Sequence, residues 1–189
     1  MRRIRIFEHI SLDGVIEHGE GYAHGDWTAP YRSPAGLAAV LEAYGTGFDL
    51  LLGRRTYDLW AGFWPKAGNS PMGNALNAAT KYVATHRPDS LEWGPVRDLG
   101  ADAIEGIRRL RSTDGPDLIV SGSSTLTTVL LAEGLADEVV LIVYPVLLGR
   151  GKRLFSDGAD PRKLSLVGTK ATPTGVLMNT YRHAGSLRT

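Results

Sequence analysis

Phe48-Asp49-Leu50-Leu51-Leu52-Gly53-Arg54-Arg55-Thr56-Tyr57 is the stretch whose reading decides the fold. The apolar run closed by Gly53 has the form of a buried strand, and the residues from Arg54 to about Trp60 suit a short helix. The arginine pair therefore stands at a strand-to-helix junction. A helix start presents free N–H groups and the positive end of the helix dipole, so an anion placed there gains hydrogen bonds. Gly53 permits close backbone approach, Arg54 and Arg55 supply charge-assisted donors, and the Thr56 hydroxyl adds a short-range one.

A second junction of the same kind lies further along the chain. Asp117-Leu118-Ile119-Val120 reads as a strand, Ser121-Gly122-Ser123-Ser124 as a turn, and Thr125 to Glu133 as a helix stopped by Gly134. At this turn Gly122, Ser123, Ser124 and Thr125 offer N–H and hydroxyl donors. Thr85-His86-Arg87, after the strand pattern Lys81–Thr85, is a third basic candidate. Three such places exceed what a mononucleotide needs, and a dinucleotide carrying an extra phosphate would use them all. Each also has a plain structural reading, as a charged turn, a capping turn and a loop surface respectively. Neither the Gly-Lys-Ser/Thr phosphate loop nor a Gly-x-Gly-x-x-Gly turn is present, so these residues by themselves define an anion-binding α/β domain.

The remaining elements follow the same alternation. Ile4 to Ile10 predicts a first strand, and Ser33-Pro34 caps a helix with Leu37, Val40, Leu41 and Tyr44 on one face before Gly45 stops it. Between them Ser11 to Arg32 keeps neither period and reads as a long loop, a lid or a substrate wall. Ala103 to Arg111 predicts a helix with Arg108, Arg109 and Arg111 on a solvated face. Val139 to Tyr144 is a continuous apolar strand, Pro145 to Phe155 a glycine-rich basic connection, and the C-terminal stretch two strands around Pro173-Thr174-Gly175. Alternating strands and helices with a terminal hairpin predict a mixed, mostly parallel sheet with an antiparallel edge.

Composition narrows the function classes. At 189 residues and 43% hydrophobic, the expected organisation is a single domain over 1–189. No run approaches the roughly 20 apolar residues of a membrane helix. Met1-Arg2-Arg3-Ile4-Arg5 leads into a strand rather than a signal-peptide core, so a soluble, cytoplasmic protein is expected. The absence of cysteine excludes disulfides, thiolate metal sites and cysteine nucleophiles. Twenty-one basic against twenty acidic residues leave a formal charge of +1, too balanced for general binding to nucleic acid. His18 and His24 are too isolated to argue for a metal.

Five segments in order carry a family resemblance. They are Ser11-Leu12-Asp13-Gly14, Leu51 to Tyr57, Ser121 to Leu126, Gly134-Leu135-Ala136-Asp137-Glu138 and Pro145 to Lys152. Together the chain resembles the dihydrofolate-reductase-like family, more closely the branch containing the C-terminal reductase domain of the riboflavin-biosynthesis deaminase/reductase. The resemblance implies a three-layer α/β fold with helices on both faces and NADPH across the C-terminal edge of the sheet. By the match, Gly53, Arg54, Arg55 and Thr56 hold the adenosine 2′-phosphate and the pyrophosphate. Thr85, His86 and Arg87 flank the adenine ribose and its phosphate. Gly122, Ser123, Ser124 and Thr125 form the second pyrophosphate-binding helix start, although Ser121-Gly122 departs from the family's Gly-Gly pair. Backbone groups of His9 and Ile16 meet the nicotinamide carboxamide.

The substrate side departs from dihydrofolate reductases. No acid follows Trp27 in Thr28-Ala29-Pro30-Tyr31-Arg32-Ser33-Pro34, and Ile142 stands where those enzymes carry a threonine. The resemblance thus implies an NADPH-dependent reductase of a small pyrimidine- or pterin-like heterocycle, similar to 5-amino-6-(5-phosphoribosylamino)uracil reductase, and not dihydrofolate reduction itself. The alternative is a noncatalytic NADP(H)-binding module that has lost the substrate-side acid. Among Asp13, Glu17, Glu20 and Asp26, Asp13 is the acid expected beside the nicotinamide. Trp27 and Tyr31 are the expected substrate walls, and Arg150, Lys152 and Arg153 the expected contact for a substrate phosphate. The branch also implies a homodimer.

Overall fold

The computed structural model describes residues 1–17, 26–155 and 161–187. His18, Glu20 and His24 lie outside them. The strands are β1 (Ile4–Ser11), β2 (Val15–Glu17), β3 (Phe48–Gly53), β4 (Lys81–Ala84), β5 (Val96–Asp98), β6 (Asp117–Ser121), β7 (Glu138–Tyr144), β8 (Lys152–Arg153), β9 (Arg162–Ala171) and β10 (Leu177–Ser186). The α-helices are α1 (Pro34–Tyr44), α2 (Arg54–Phe63), α3 (Pro71–Ala78), α4 (Ala103–Ser112) and α5 (Ser124–Ala132).

Eight strands make one sheet in the order β5-β4-β3-β6-β1-β7-β10-β9. The pairs from β5 to β7 are parallel, and β10 returns antiparallel against β7 and β9. This is the expected α/β fold with its C-terminal hairpin. Leu50, Leu51 and Leu52 are fully buried because β3 is covered on both sides. Leu50 and Leu52 pack with Val40, Tyr44, Tyr57 and Leu76 of the first three helices, while Leu51 packs with Ile107, Leu126 and Leu130 of the last two. Helices therefore cover both faces. Each buried leucine contributes about 2 kcal/mol, enough to set the register of the strand.

That register aligns the chemistry. Leu51 lies opposite Val120, so Gly53 and Gly122 end two neighbouring strands side by side. From β3 the chain turns away towards β4, whereas from β6 it crosses to β7 on the other side of β1. Such a reversal opens a crevice at the carboxyl ends of the strands, where open α/β sheets bind ligands.

Two stretches differ from the sequence expectation. The Ser11–Arg32 segment is not loop throughout: β2 pairs antiparallel with β8, and Ala29–Tyr31 forms a 3₁₀ turn. Three-residue elements are too short to show a period, and the partner of β2 is more than 130 residues away. The α3 helix and β5 also escape periodicity. The helix starts at a Ser70 cap but buries just Gly73 and Leu76, and the edge strand β5 buries no residue fully. On α1, Ser33 accepts from Gly36 N and Gly45 ends the helix at φ 88°, as the caps predict. Leu37, however, is 41% exposed and faces a cleft rather than the core.

Candidate active site

Three of the five helices begin with a side-chain cap: Ser33 on α1, Ser70 on α3 and Asp102 on α4 each accept a first-turn N–H. The helices that open on the crevice do not. Gly53 before α2 has no side chain, and Ser123 before α5 sits in the left-handed region with φ 51° and makes no side-chain cap. A helix has four unsatisfied N–H groups at its start, and here they are left to a ligand or to water. Next to them the Ser124 hydroxyl is buried without a hydrogen-bond partner among the described residues.

The two starts are bolted together. Gly53 N donates to Ser123 Oγ at 2.9 Å, while Ser123 N and Oγ both donate to Thr56 Oγ1, at 3.0 and 3.1 Å. A Cβ on Gly122, at φ 61°, would lie 2.9 Å from Thr56 Oγ1, so glycine is required there for space as well as conformation. The turn is built from two successive positive-φ residues; the cis peptide bond among the described residues is Gly94-Pro95, elsewhere in the fold.

These residues line a groove of about 360 Å³, walled by Gly53, Arg54, Arg55, Thr56, Gly122 to Leu126, Ile16, Glu17 and Lys152. Its arginines differ in availability. Arg54 is folded inward, 17% exposed, donating to Asp58, to Arg87 O and to Ser90 Oγ, so it braces the loop that carries Thr85 and Arg87. Arg55 is 78% exposed and pairs with Glu17 across the groove. Arg87 is also largely exposed and meets Asp58 at 3.5 Å; Thr85 Oγ1 accepts from Arg87 N, and His86 is exposed. Gly53 to Thr56 and Gly122 to Thr125 are thus brought together, with Thr85 to Arg87 joined to them through Arg54.

Glu8 lies at the bottom of this groove, and no sequence signal singled it out. It is 5% exposed and accepts Gly122 N–H at 2.7 Å. Burial pushes its carboxyl up to about 8, against the smaller opposing effect of the Gly122 hydrogen bond, so the group is mostly neutral at pH 7. β1 also carries Arg5, His9 and Ser11, so a polar residue within it does not by itself mark Glu8.

A larger cleft of about 910 Å³ adjoins the groove, with Trp60 on the boundary of both. His9, Tyr31, Ile142 and Tyr144 line it, and Ser121 extends it to the foot of the second junction. Trp27 does not line it but packs edge-on against Tyr144, with ring centroids 5.2 Å apart. Asp13 belongs to neither cavity. Its carboxylate accepts from Ser11 Oγ at 2.6 Å, Leu148 N at 3.1 Å and Gly149 N at 2.7 Å, stapling the β1–β2 turn to the connection after β7. The Ser11 hydroxyl and then the two N–H groups hold it down to about 2, which makes it an acceptor at neutral pH. Lys152 faces the groove, and Arg153 donates to Asp13 O, so these two residues of the basic run do not reach the cleft.

The mostly parallel sheet, its C-terminal antiparallel hairpin and the helices on both faces, with groove and cleft at the switch point, place the chain in the dihydrofolate-reductase-like class of α/β folds. The chain belongs to the family of the RibD C-terminal domain, whose model matches residues 2–178. The uncharacterized protein YyaP of Bacillus subtilis (strain 168) is 28% identical over 188 residues, 97% of this chain and 96% of YyaP. Among solved structures, a Thermotoga maritima diaminohydroxyphosphoribosylaminopyrimidine deaminase/5-amino-6-(5-phosphoribosylamino)uracil reductase aligns with TM-score 0.68 and 17% identity, over 97% of this chain and 57% of that one. Enterococcus faecalis dihydrofolate reductase, solved with NADP(H) and RAB-propyl, aligns with TM-score 0.61 and 18% identity over 96% of both chains.

Proposed function

We propose that this protein is an NADPH-dependent reductase that passes hydride to a small planar substrate of heterocyclic or carbonyl type held in the cleft. The observation that supports it most is the meeting of the two cavities at Trp60 beneath two uncapped helix starts. A dinucleotide laid along the groove delivers its far end to the cleft. In this reading the α5 start, with Ser124 and Thr125, holds the pyrophosphate. Arg55 and Arg87, the exposed guanidiniums, take the additional phosphate, and Arg54 positions their loop. Backbone groups of His9 and Ile16 meet the carboxamide. Bound there, the nicotinamide supplies the hydride; the chain supplies orientation and a proton.

Titration with NADPH and NADH, followed by tryptophan fluorescence, tests the reading. Micromolar affinity for NADPH with at least a tenfold preference over NADH is expected. No binding at millimolar concentration removes the proposal, and equal affinity removes the roles of Arg55 and Arg87. A homodimer and a cytoplasmic setting belong to the same reading, and analytical ultracentrifugation tests the former.

A further inference from the structure

The floor of the cleft holds a pair that lies 135 residues apart in sequence: His9 Nδ1 and Tyr144 Oη are 2.7 Å from each other. Parallel pairing of β1 with β7 sets His9 opposite Ile142, so His9 and Tyr144 are diagonal neighbours on one face of the sheet. Trp27 and Tyr31 pack edge-on against the Tyr144 ring at 5.2 and 5.8 Å, which limits its rotation. Ile142, Val176 and Met178, all nearly buried, continue the wall.

Among the described residues no carboxylate and no lysine lines the cleft, and its one guanidinium, Arg32, is paired with Asp26 at the rim. A phosphate ester would be desolvated here without a free cation, and a pterin ring would find no carboxylate to accept its N–H groups. Each gives up water here without the counter-charge or acceptor that would offset the loss. An uncharged flat molecule loses nothing of the kind and gains stacking and apolar contact.

We infer that the cleft takes an uncharged, planar, unphosphorylated substrate with a conjugated C=O or C=N bond, and that Tyr144, positioned by His9, hands the proton to its oxygen or nitrogen. The inference rests on the reductase reading above. A nicotinamide held in the groove would supply the hydride, the new C–H bond forming at the carbon end of the double bond. The π pair moves onto the heteroatom, which takes the Tyr144 proton as the phenolic O–H bond breaks. Tyr144 Oη is refilled from His9 Nδ1–H while His9 Nε2 takes a proton from water on the open side of the cleft, the hydroxide left behind passing to bulk solvent. The sum is one hydride and one proton added, with the imidazole changed from one tautomer to the other. Partial loss of water, and then Arg32, lowers His9, whose ring still opens on the cleft, and loss of water raises Tyr144 to about 12, Asp26 being the other charge nearby. The pair is therefore neutral at pH 7 and suited to a neutral ligand.

The test uses 2-naphthaldehyde as the uncharged probe, with folate and uridine 5′-monophosphate as charged planar rivals. Wild-type protein with NADPH should bind the aldehyde at least tenfold more tightly than either rival and reduce it to the alcohol. Ile142→Glu should abolish aldehyde binding and leave the NADPH titration unchanged. Tyr144→Phe should keep the aldehyde KM within threefold, lower kcat about a hundredfold or more, and lose the solvent isotope effect on kcat. His9→Gln, which keeps a polar partner for Tyr144, should fall between these, and melting temperatures check that each variant is folded. Tighter binding of folate or uridine 5′-monophosphate overturns the substrate class. Wild-type inactivity on the bound aldehyde, or a Tyr144→Phe enzyme with unchanged kcat, overturns the role of Tyr144. Failure to bind NADPH strikes the underlying reading instead, so the two failures are distinguishable.

Discussion

The groove and the cleft share the Trp60 wall, yet they differ in what their polar groups are. The groove sets glycine turns, two helix starts without side-chain caps, hydroxyls and the charged Arg55, Glu17 and Lys152 against an apolar side of Ile16, Leu59 and Leu126. The cleft is made of rings and branched side chains around the His9–Tyr144 pair. A surface of N–H groups with the exposed Arg55 selects charge through the electrostatics of ordered dipoles, whereas an aromatic wall selects shape and rejects unpaired charge. Adjacent cavities of such different character suit a ligand with a phosphorylated end and a flat, uncharged one.

The comparison breaks most severely at Thr125, exposed in the first turn of α5. Thr125→Glu places an anion where the helix dipole welcomes it, so stability should hold or rise slightly. The same charge should repel a phosphate and weaken NADPH at least a hundredfold, about 2.7 kcal/mol, while affinity for an uncharged cleft ligand stays within threefold. Parallel titrations and thermal melts read all three quantities. If NADPH affinity survives, the groove is not the phosphate site.

Glu8 tests the boundary beneath the groove. Its folded value is raised from 4.5 to about 8, so the stability it contributes is full below about 4.5 and lost as pH rises through about 8. Glu8→Gln should therefore equal wild type in urea unfolding at pH 5 and exceed it at pH 9, by on the order of 2 kcal/mol. The Asp13 staple has the opposite sign. Its value is lowered from 3.8 to about 2, so its contribution is present above about 4 and lost as pH falls towards 2. Asp13→Asn should lose about 1.5 kcal/mol at pH 7, less at pH 3, and change neither ligand affinity more than threefold.

The smallest effect sharpens the comparison within the groove itself. Arg55→Ala should weaken NADPH about tenfold, about 1.4 kcal/mol, and leave NADH nearly unaffected. The NADPH loss should shrink as salt is raised from 0.05 to about 0.5 M, because the exposed guanidinium is screened. Cleft affinity, resting on apolar contact, should not follow salt in this way.

Much of this architecture was legible before the fold was known. The β3–α2 and β6–α5 junctions carry their signals locally, as an apolar run, a glycine and a polar helix start within about ten residues. The α1 cap, the terminal hairpin and the parallel sheet are likewise statements about neighbours in the chain. What escaped was either too short or too distant. The β2–β8 pair and β5 hold too few residues for a period to register, and α3 buries too few for a face to show. Arg54 and Arg55 read alike as consecutive basic residues, but Asp58, Arg87 O and Ser90 turn the first inward and leave the second facing out. Asp13 read as an acid near the reacting end, and three donors, two of them from residues 148 and 149, make it a structural acceptor.

The sequence alone determined the elements and the two donor-rich turns, because propensity, capping and hydrophobic period act over one or two turns of chain. Tertiary structure alone decided which of those donors remain free, that Glu8 is buried beneath them, and that His9 meets Tyr144 in a wall where the described residues carry no unpaired charge. The reason is that hydrogen-bond partners and desolvation are properties of neighbours in space, and strand register and the reversal between β3 and β6 choose those neighbours.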